Sequence, residues 1–263
     1  MSKIQPIYII FMLLGGLLLL FLVAPLTGMI LSTSPDSFFE TMQNKEVTGS
    51  IKLTILTSLG GTLFFAFLAI PLAYLMARKE FPGKKIISGL IDLPIVIPHS
   101  AAGIAVLGFI SRDTVLGKAA DSIGLNLVGH PIGIALAMAF VSIPFLFNAA
   151  RDGFEAVPER LEKVALNLKA SPAKVFFTVS LPLASRNILS GFIMMFARGM
   201  SEFGAVVIVA YHPMITPVLV YEWFTSYGLA YARPAAVLFI IICLVFFVLL
   251  RLLVKDKERS SNA

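Results

Sequence analysis

Six stretches of this 263-residue chain are long and oily enough to lie in a lipid bilayer, and that constrains the fold more than any motif does. About 20 apolar residues are needed for a helix to cross a hydrocarbon core roughly 30 Å thick. Spans are placed at Ile7–Leu31, Ile51–Ala77, Ile95–Ile110, Pro131–Ala149, Ile188–Ala210 and Pro234–Leu253. The third is short and holds Pro94 and Pro98, so it is read as a kinked helix that begins earlier, near Ile86. Ile7–Leu31 follows Lys3 as the core of a signal peptide would. A signal core has only roughly 7–15 apolar residues, however, so this is a retained first span. Charged residues make up 14% of the chain, against about 25% in a soluble domain. The fold class is therefore an all-α polytopic membrane protein. Its loops are too short to fold alone, which makes residues 1–263 one transmembrane domain.

Basic residues set the orientation, because they accumulate in short cytoplasmic loops. Fifteen of the 21 fall at the two termini, in the connection after span two, and between spans four and five. Only Lys45, Lys52, Arg112, Lys118 and Arg233 fall on the opposite side, and Arg198 lies within a span. Both termini are thus expected in the cytoplasm. The net charge of +6 serves topology, and nothing supports a nucleic-acid partner.

One long segment, 151–186, cannot sit in lipid, and the same charge count places it in the cytoplasm. Phe154, Val157, Leu161, Val164 and Leu168 recur with helical spacing, while Glu155, Glu159, Glu162 and Lys163 fall between them. On pattern alone, an amphipathic helix held by another protein and a solvated connector are both open. Ser171 followed by Pro172 is a helix start, with serine as N-cap and proline in the first turn. Lys169-Ala170 then forms a bend between two short helices, and Pro182 ends the segment before span five.

Span five carries Arg198 and Glu202, four apart and so on one helix face. An arginine near mid-bilayer costs at least about 2.5 kcal/mol, so it must face protein or a watery path. A pathway for a charged solute and a buried structural pair both satisfy that demand. Gly191, Gly199, Ser201, Gly204 and Ala205 surround the pair and permit close helix contact. No nucleophile–base set, phosphate-cradling loop or metal pattern is present, and Cys243 has no partner cysteine. His99, His130 and His212 stand alone beside prolines or span ends and are read as structural. Catalytic and metal sites are therefore not expected, and energy for uphill transport must come from a partner.

Glu162, Ala165, the bend at Lys169-Ala170, and Val179-Ser180-Leu181-Pro182 resemble the "EAA" loop of ATP-binding-cassette (ABC) importer permeases. Ala197 to Tyr211, ARGMSEFGAVVIVAY, resembles span five of the sulfate and molybdate/tungstate permeases. Ala77 to Leu107, with Ile97-Pro98-His99, is similar to the molybdate/tungstate branch of archaeal type. The likeness covers roughly residues 51–250. It departs at Lys169, where the family usually has glycine. Either the bend relaxes into helical geometry, or a neighbour such as Asn167 takes the strained position.

The resemblance implies a transmembrane subunit that imports molybdate or tungstate by alternating access in the cell membrane. Its partners would be a second copy of itself, two cytoplasmic ATP-binding subunits and an external oxyanion-binding protein. ATP and Mg would be held by the ATPase subunits, and no cofactor by this chain. Glu162, Ala165, Lys169, Ala170, Ser171, Leu181 and Pro182 would form the ATPase-coupling knuckle, with Glu162 orienting it at the exposed ATPase surface. Arg198, Ser201, Glu202 and Gly204 would line the translocation pathway. Three alternatives stay open: a sulfate or thiosulfate permease, a stand-alone anion channel or ion-coupled carrier, and a non-transporting scaffold.

Overall fold

The structure, a computed structural model, describes residues 6–261, with side chains described from 7 to 252. Lys3 and the side chains of Lys255, Lys257 and Arg259, all counted for topology above, lie outside that range. The described backbone is helical: α1 Pro6–Leu31, α2 Pro35–Gln43, α3 Lys45–Arg78, α4 Lys84–Val96, α5 His99–Ile110, α6 Val115–Asp121 and α7 Pro131–Glu155. Then come α8 Glu159–Asn167, α9 Pro172–Val175, a π turn over Phe176–Ser180, α10 Leu181–Met200, α11 Val206–Val209, α12 Thr216–Tyr227 and α13 Leu229–Ser261.

Five of these runs are long and apolar enough to cross a membrane: α1, α3, α7, the continuous run Pro172–Met200, and the first part of α13. The pair α4–α5 is a sixth only as a broken pass, bent by 116° at Ile97-Pro98. The kinked helix expected there is therefore two helices set at a sharp angle. Pro98 cannot donate a helical hydrogen bond, and the residue before a proline is pushed out of the helical region. Ile97 accordingly sits at φ −75°, ψ 148°.

Helix α7 is the centre, held between α3 and α10 with its small residues as contact points. A Cβ on Gly61 of α3 would stand 2.9 Å from the Ala135 carbonyl oxygen of α7. One on Gly191 of α10 would stand 2.7 Å from the Ala149 Cβ. With no hydrophobic force between helices in lipid, such close backbone approach is what van der Waals packing requires. The aromatic and aliphatic core beneath it gathers Met76, Leu146, Phe147, Phe154 and Met195. Helix α1 is the opposite case: none of its span is buried, and Arg233 Nη1 donates to the Ser32 carbonyl just beyond its end at 2.6 Å.

Several element boundaries differ from expectation. Span two starts at Lys45, where the Asn44 side chain accepts from the Glu46 and Val47 amides. Span four runs on to Glu155 instead of stopping at Ala149. The proposed helix 154–168 is thus two helices, parted at Ala156–Pro158. Span five starts far earlier than Ile188 and ends at Met200, ten residues short of Ala210. Pro182 does not end a segment; the helix passes through it. The π turn makes this possible, as the Leu181 amide reaches back five residues to the Phe176 carbonyl. The connections outside the spans carry short helices of their own, α2, α6 and α12.

Gly191→Ala is expected to destabilise the protein by about 1–3 kcal/mol, the usual range for overpacking a core. Thermal unfolding in detergent measures this, and an unchanged midpoint would remove the small-residue account of the α7–α10 contact.

Candidate functional site

Two polar clusters stand out in this apolar molecule, one at each end of α10. The first forms where α10 stops. The Ser201 amide still makes the α-helical bond to the Ala197 carbonyl, but the Glu202 amide reaches only three residues back, to the Gly199 carbonyl, so the last turn tightens. The backbone then leaves the helix until α11 begins. Glu202 is 1% exposed. Its Oε2 lies 2.9 Å from Arg198 Nη2, and its Oε1 accepts from the Ala205 amide at 2.9 Å. The carboxylate thereby supplies a partner for a backbone N–H at the break, which lipid could not do. Arg198 sits in the last turn of α10, where a cation is favoured by the helix dipole.

His99 completes the cluster from the other broken pass. Its Nδ1 is 2.8 Å from Glu202 Oε2, and its ring nitrogens are 2.9 Å from Arg198 Nη2. A neutral ring with its proton on Nδ1 donates to Glu202 and accepts from Arg198 through Nε2. The two breaks are packed together so closely that a Cβ on Gly204 would stand 2.7 Å from the His99 Cβ. A Cβ on Gly103 would stand 2.8 Å from the Ala205 carbonyl oxygen. Arg198 and His99 keep 25% and 40% of their side chains exposed, so the cluster presents the guanidinium and the imidazole ring outward from a buried carboxylate. All four residues expected here, Arg198, Ser201, Glu202 and Gly204, come together, with Ser201 Oγ 3.4 Å from Arg198 Nη1. The correction is to the backbone: the pair does not lie on one unbroken helix face but bridges a helix end. His99, read as merely structural, is a third member; Pro98 before it was the available signal.

The second cluster lies at the other end, where α3 stops and α8 begins. Glu162 was expected on an exposed docking face, and it is instead 8% exposed. Arg78 of α3 reaches its Oε1 through Nε and Nη2, both at 2.9 Å. Ser180 Oγ donates to the same oxygen at 2.7 Å, and Tyr74 Oη donates to Oε2 at 3.2 Å. Arg78 Nη2 also donates to the Val157 carbonyl at 2.9 Å, holding the α7–α8 connection. Burial works to raise the Glu162 pKa, but the donors from Arg78, Ser180 and Tyr74 outweigh it and hold the carboxyl below its usual range. Glu162 thus pins α8 to α3 and to the π turn. An unpaired buried carboxylate would be costly, and the donors from Arg78, Ser180 and Tyr74 are what allow it to turn inward. Arg78, Tyr74 and Ser180 were missed. Arg78 had been counted only for topology, and Ser180 stood unremarked inside a quoted motif.

Between α8 and α9 the chain makes the expected bend. The Ala170 amide bonds to the Ala165 carbonyl at 3.1 Å and the Lys169 amide to the Leu166 carbonyl at 2.9 Å. These are the paired bonds of a Schellman helix end. Its left-handed position is taken by Lys169 itself, at φ 61°, not by Asn167, and the bend does not relax into helix. Ser171 then caps α9, accepting from the Lys174 amide at 3.3 Å. Leu181 packs into the core, and Pro182 stays exposed. Around the bend, Val164, Leu168 and Phe177 are 56%, 78% and 65% exposed, an apolar surface with nothing over it among the described residues.

Two outcomes are expected. Lys169→Gly relieves a left-handed side chain and should stabilise the protein by about 1 kcal/mol in thermal unfolding; a destabilised variant would refute the strain. Glu162→Gln should cost about 3 kcal/mol near neutral pH by stranding Arg78. Because the folded carboxyl titrates low, its contribution is complete above the ordinary carboxylate range and is lost as pH falls through the depressed value. The gap between wild type and Glu162→Gln should therefore narrow on acidification, and a gap independent of pH would contradict the pin.

Residues 69–259 match the family described as "Binding-protein-dependent transport system inner membrane component". The chain is 42% identical to the molybdate/tungstate transport system permease protein WtpB of Thermococcus kodakarensis, over 95% of this chain and 96% of that one. It is 38% identical to the protein of the same name in Methanocaldococcus jannaschii, over 92% and 95%. A sulfate transport system permease, CysT of Synechocystis, is 27% identical over 93% and 88%. Among solved structures, a bacterial ABC transporter involved in import of the polysaccharide alginate shares the fold with TM-score 0.73 at 18% identity, over 95% of both chains. The chain is a non-catalytic, multi-pass component of the cell membrane and belongs to the inner-membrane components of binding-protein-dependent transport systems.

Proposed function

We propose that this chain is the translocating subunit of an ABC importer for molybdate and tungstate. The observation that carries the reading is similarity to the Thermococcus molybdate/tungstate permease along 95% of the chain. Two copies would form the pathway, with an external binding protein delivering the anion and two cytoplasmic ATPase subunits supplying the energy. The end bearing α8 and α9 is the cytoplasmic one, which agrees with the excess of lysine and arginine there. The bare apolar surface around Val164, Leu168 and Phe177 would enter the ATPase, and the Glu162 pin would carry its motion into α3 and α10.

At the opposite end of α10, Arg198 offers an oxyanion a partly exposed guanidinium whose countercharge, Glu202, is buried behind it, with the His99 ring holding the pair in place. That arrangement gives attraction without a deep trap, which conduction requires. Selection between anions then rests with the binding protein. The sulfate reading keeps the same mechanism and is favoured less, because the sulfate relative is the more distant at 27% identity.

Reconstituted vesicles containing the permease, its ATPase and its binding protein should take up labelled tungstate only with ATP, and excess sulfate should leave uptake unchanged. Abolition by sulfate would assign the sulfate reading. Uptake without ATP or the ATPase would assign a channel or carrier. No flux under any condition would leave only the scaffold.

A further inference from the structure

An apolar groove of about 370 Å³ opens on the outer surface of the chain between α2, α3 and α13, and it shares no lining residue with either polar cluster. Its walls are Ile51 and Ile55 of α3 and Leu238 and Ile242 of α13, with Met42 of α2 at one end. In a membrane such a groove takes hydrocarbon, and lysine chemistry at its rim says which kind. Lys52 lines the groove and Lys45 stands seven residues before it, two turns up the same face of α3. Both are exposed, and Gly49 between them faces open space. Among the described residues neither lysine has an ion-pair partner, although Glu40 and Glu46 are close in sequence.

A lone, exposed ammonium about 10 Å inside a membrane-spanning helix is unfavourable unless its flexible stem lifts the charge toward the headgroups. For Lys52 that direction is toward Lys45, at the start of the helix. Two exposed lysines two turns apart on one helix face, one of them lining an apolar groove, match a phosphate with an acyl chain beneath it, and disfavour a headgroup that brings its own cation. We propose that the groove seats an acyl chain of an anionic phospholipid whose phosphate is held between Lys45 and Lys52.

The full chain purified in mild detergent and analysed by native mass spectrometry tests this, with phosphatidylglycerol and phosphatidylcholine as probes. Wild type should retain one phosphatidylglycerol per chain in preference to phosphatidylcholine. Lys52→Gln should weaken retention about fivefold, the effect of about 1 kcal/mol per surface lysine, and Lys45→Gln/Lys52→Gln more. Lys52→Arg should preserve it. Leu56→Trp, at a groove residue 56% exposed, should expel the chain without altering charge. Equal retention of both lipids, or full retention by the double glutamine variant, overturns the proposal. If Leu56→Trp instead changes the number of protein copies while lipid stays bound, the groove is a protein contact and the proposal also fails.

Discussion

Hydrocarbon offers no partner to an unpaired backbone amide or carbonyl, and the shape of this protein follows from that. Wherever a helix runs unbroken, the chain satisfies itself and needs little else, as α1 demonstrates by crossing without burying any of its span. Wherever a helix breaks, at Ile97-Pro98 and at Ser201–Gly204, side chains must make good the loss. Both breaks therefore sit against each other. The Glu202 carboxylate serves one amide of its own break and, through His99, reaches across to the other. The charge that accompanies the carboxylate then has to be matched, which places Arg198 at the same spot.

One continuous helical run joins the two polar clusters. From Pro172 to Met200 the helix is continuous, about 43 Å at 1.5 Å per residue. Ser180 near one end holds Glu162; Arg198 near the other holds Glu202. Helix α7 runs alongside between α3 and α10, in contact so close that glycines are needed. A displacement of α8 therefore has no soft element in which to dissipate before it reaches the helix break. Under the proposed function, this is the mechanical route from ATPase to pathway.

Much of this was legible in the sequence because lipid makes spans conspicuous and charges sparse. Arg198 and Glu202 were visible for that reason, as was the Ser171-Pro172 helix start. What the sequence hid was mostly the partner. Glu162 lies in a charged segment, where periodicity places it on the polar back of a helix, and no local pattern shows that Arg78, 84 positions away, turns it inward. The breaks were partly hidden too. Pro98 announces one, but Ser201–Gly204 looks like ordinary span, since its interruption depends on capping by Glu202 and on packing against α5. Lys169 shows the limit in the other direction. The bend was evident, yet its strain falls on the lysine itself because the two Schellman hydrogen bonds fix the left-handed position there.

The π turn at Phe176–Ser180 has a consequence for how this sequence can vary. It winds one residue more than an α-helical turn would, and so sets the rotational phase of Ser180 and everything beyond it relative to α9. Each residue of an α-helix advances the side chains by roughly 100°. A single-codon deletion or insertion between Ser180 and Arg198 would leave hydrophobicity, length and charge almost unchanged. It would nevertheless turn one cluster away from its partners while the other stayed in place. Substitutions along this stretch can drift, but its residue count is fixed by the two ends it must keep in phase.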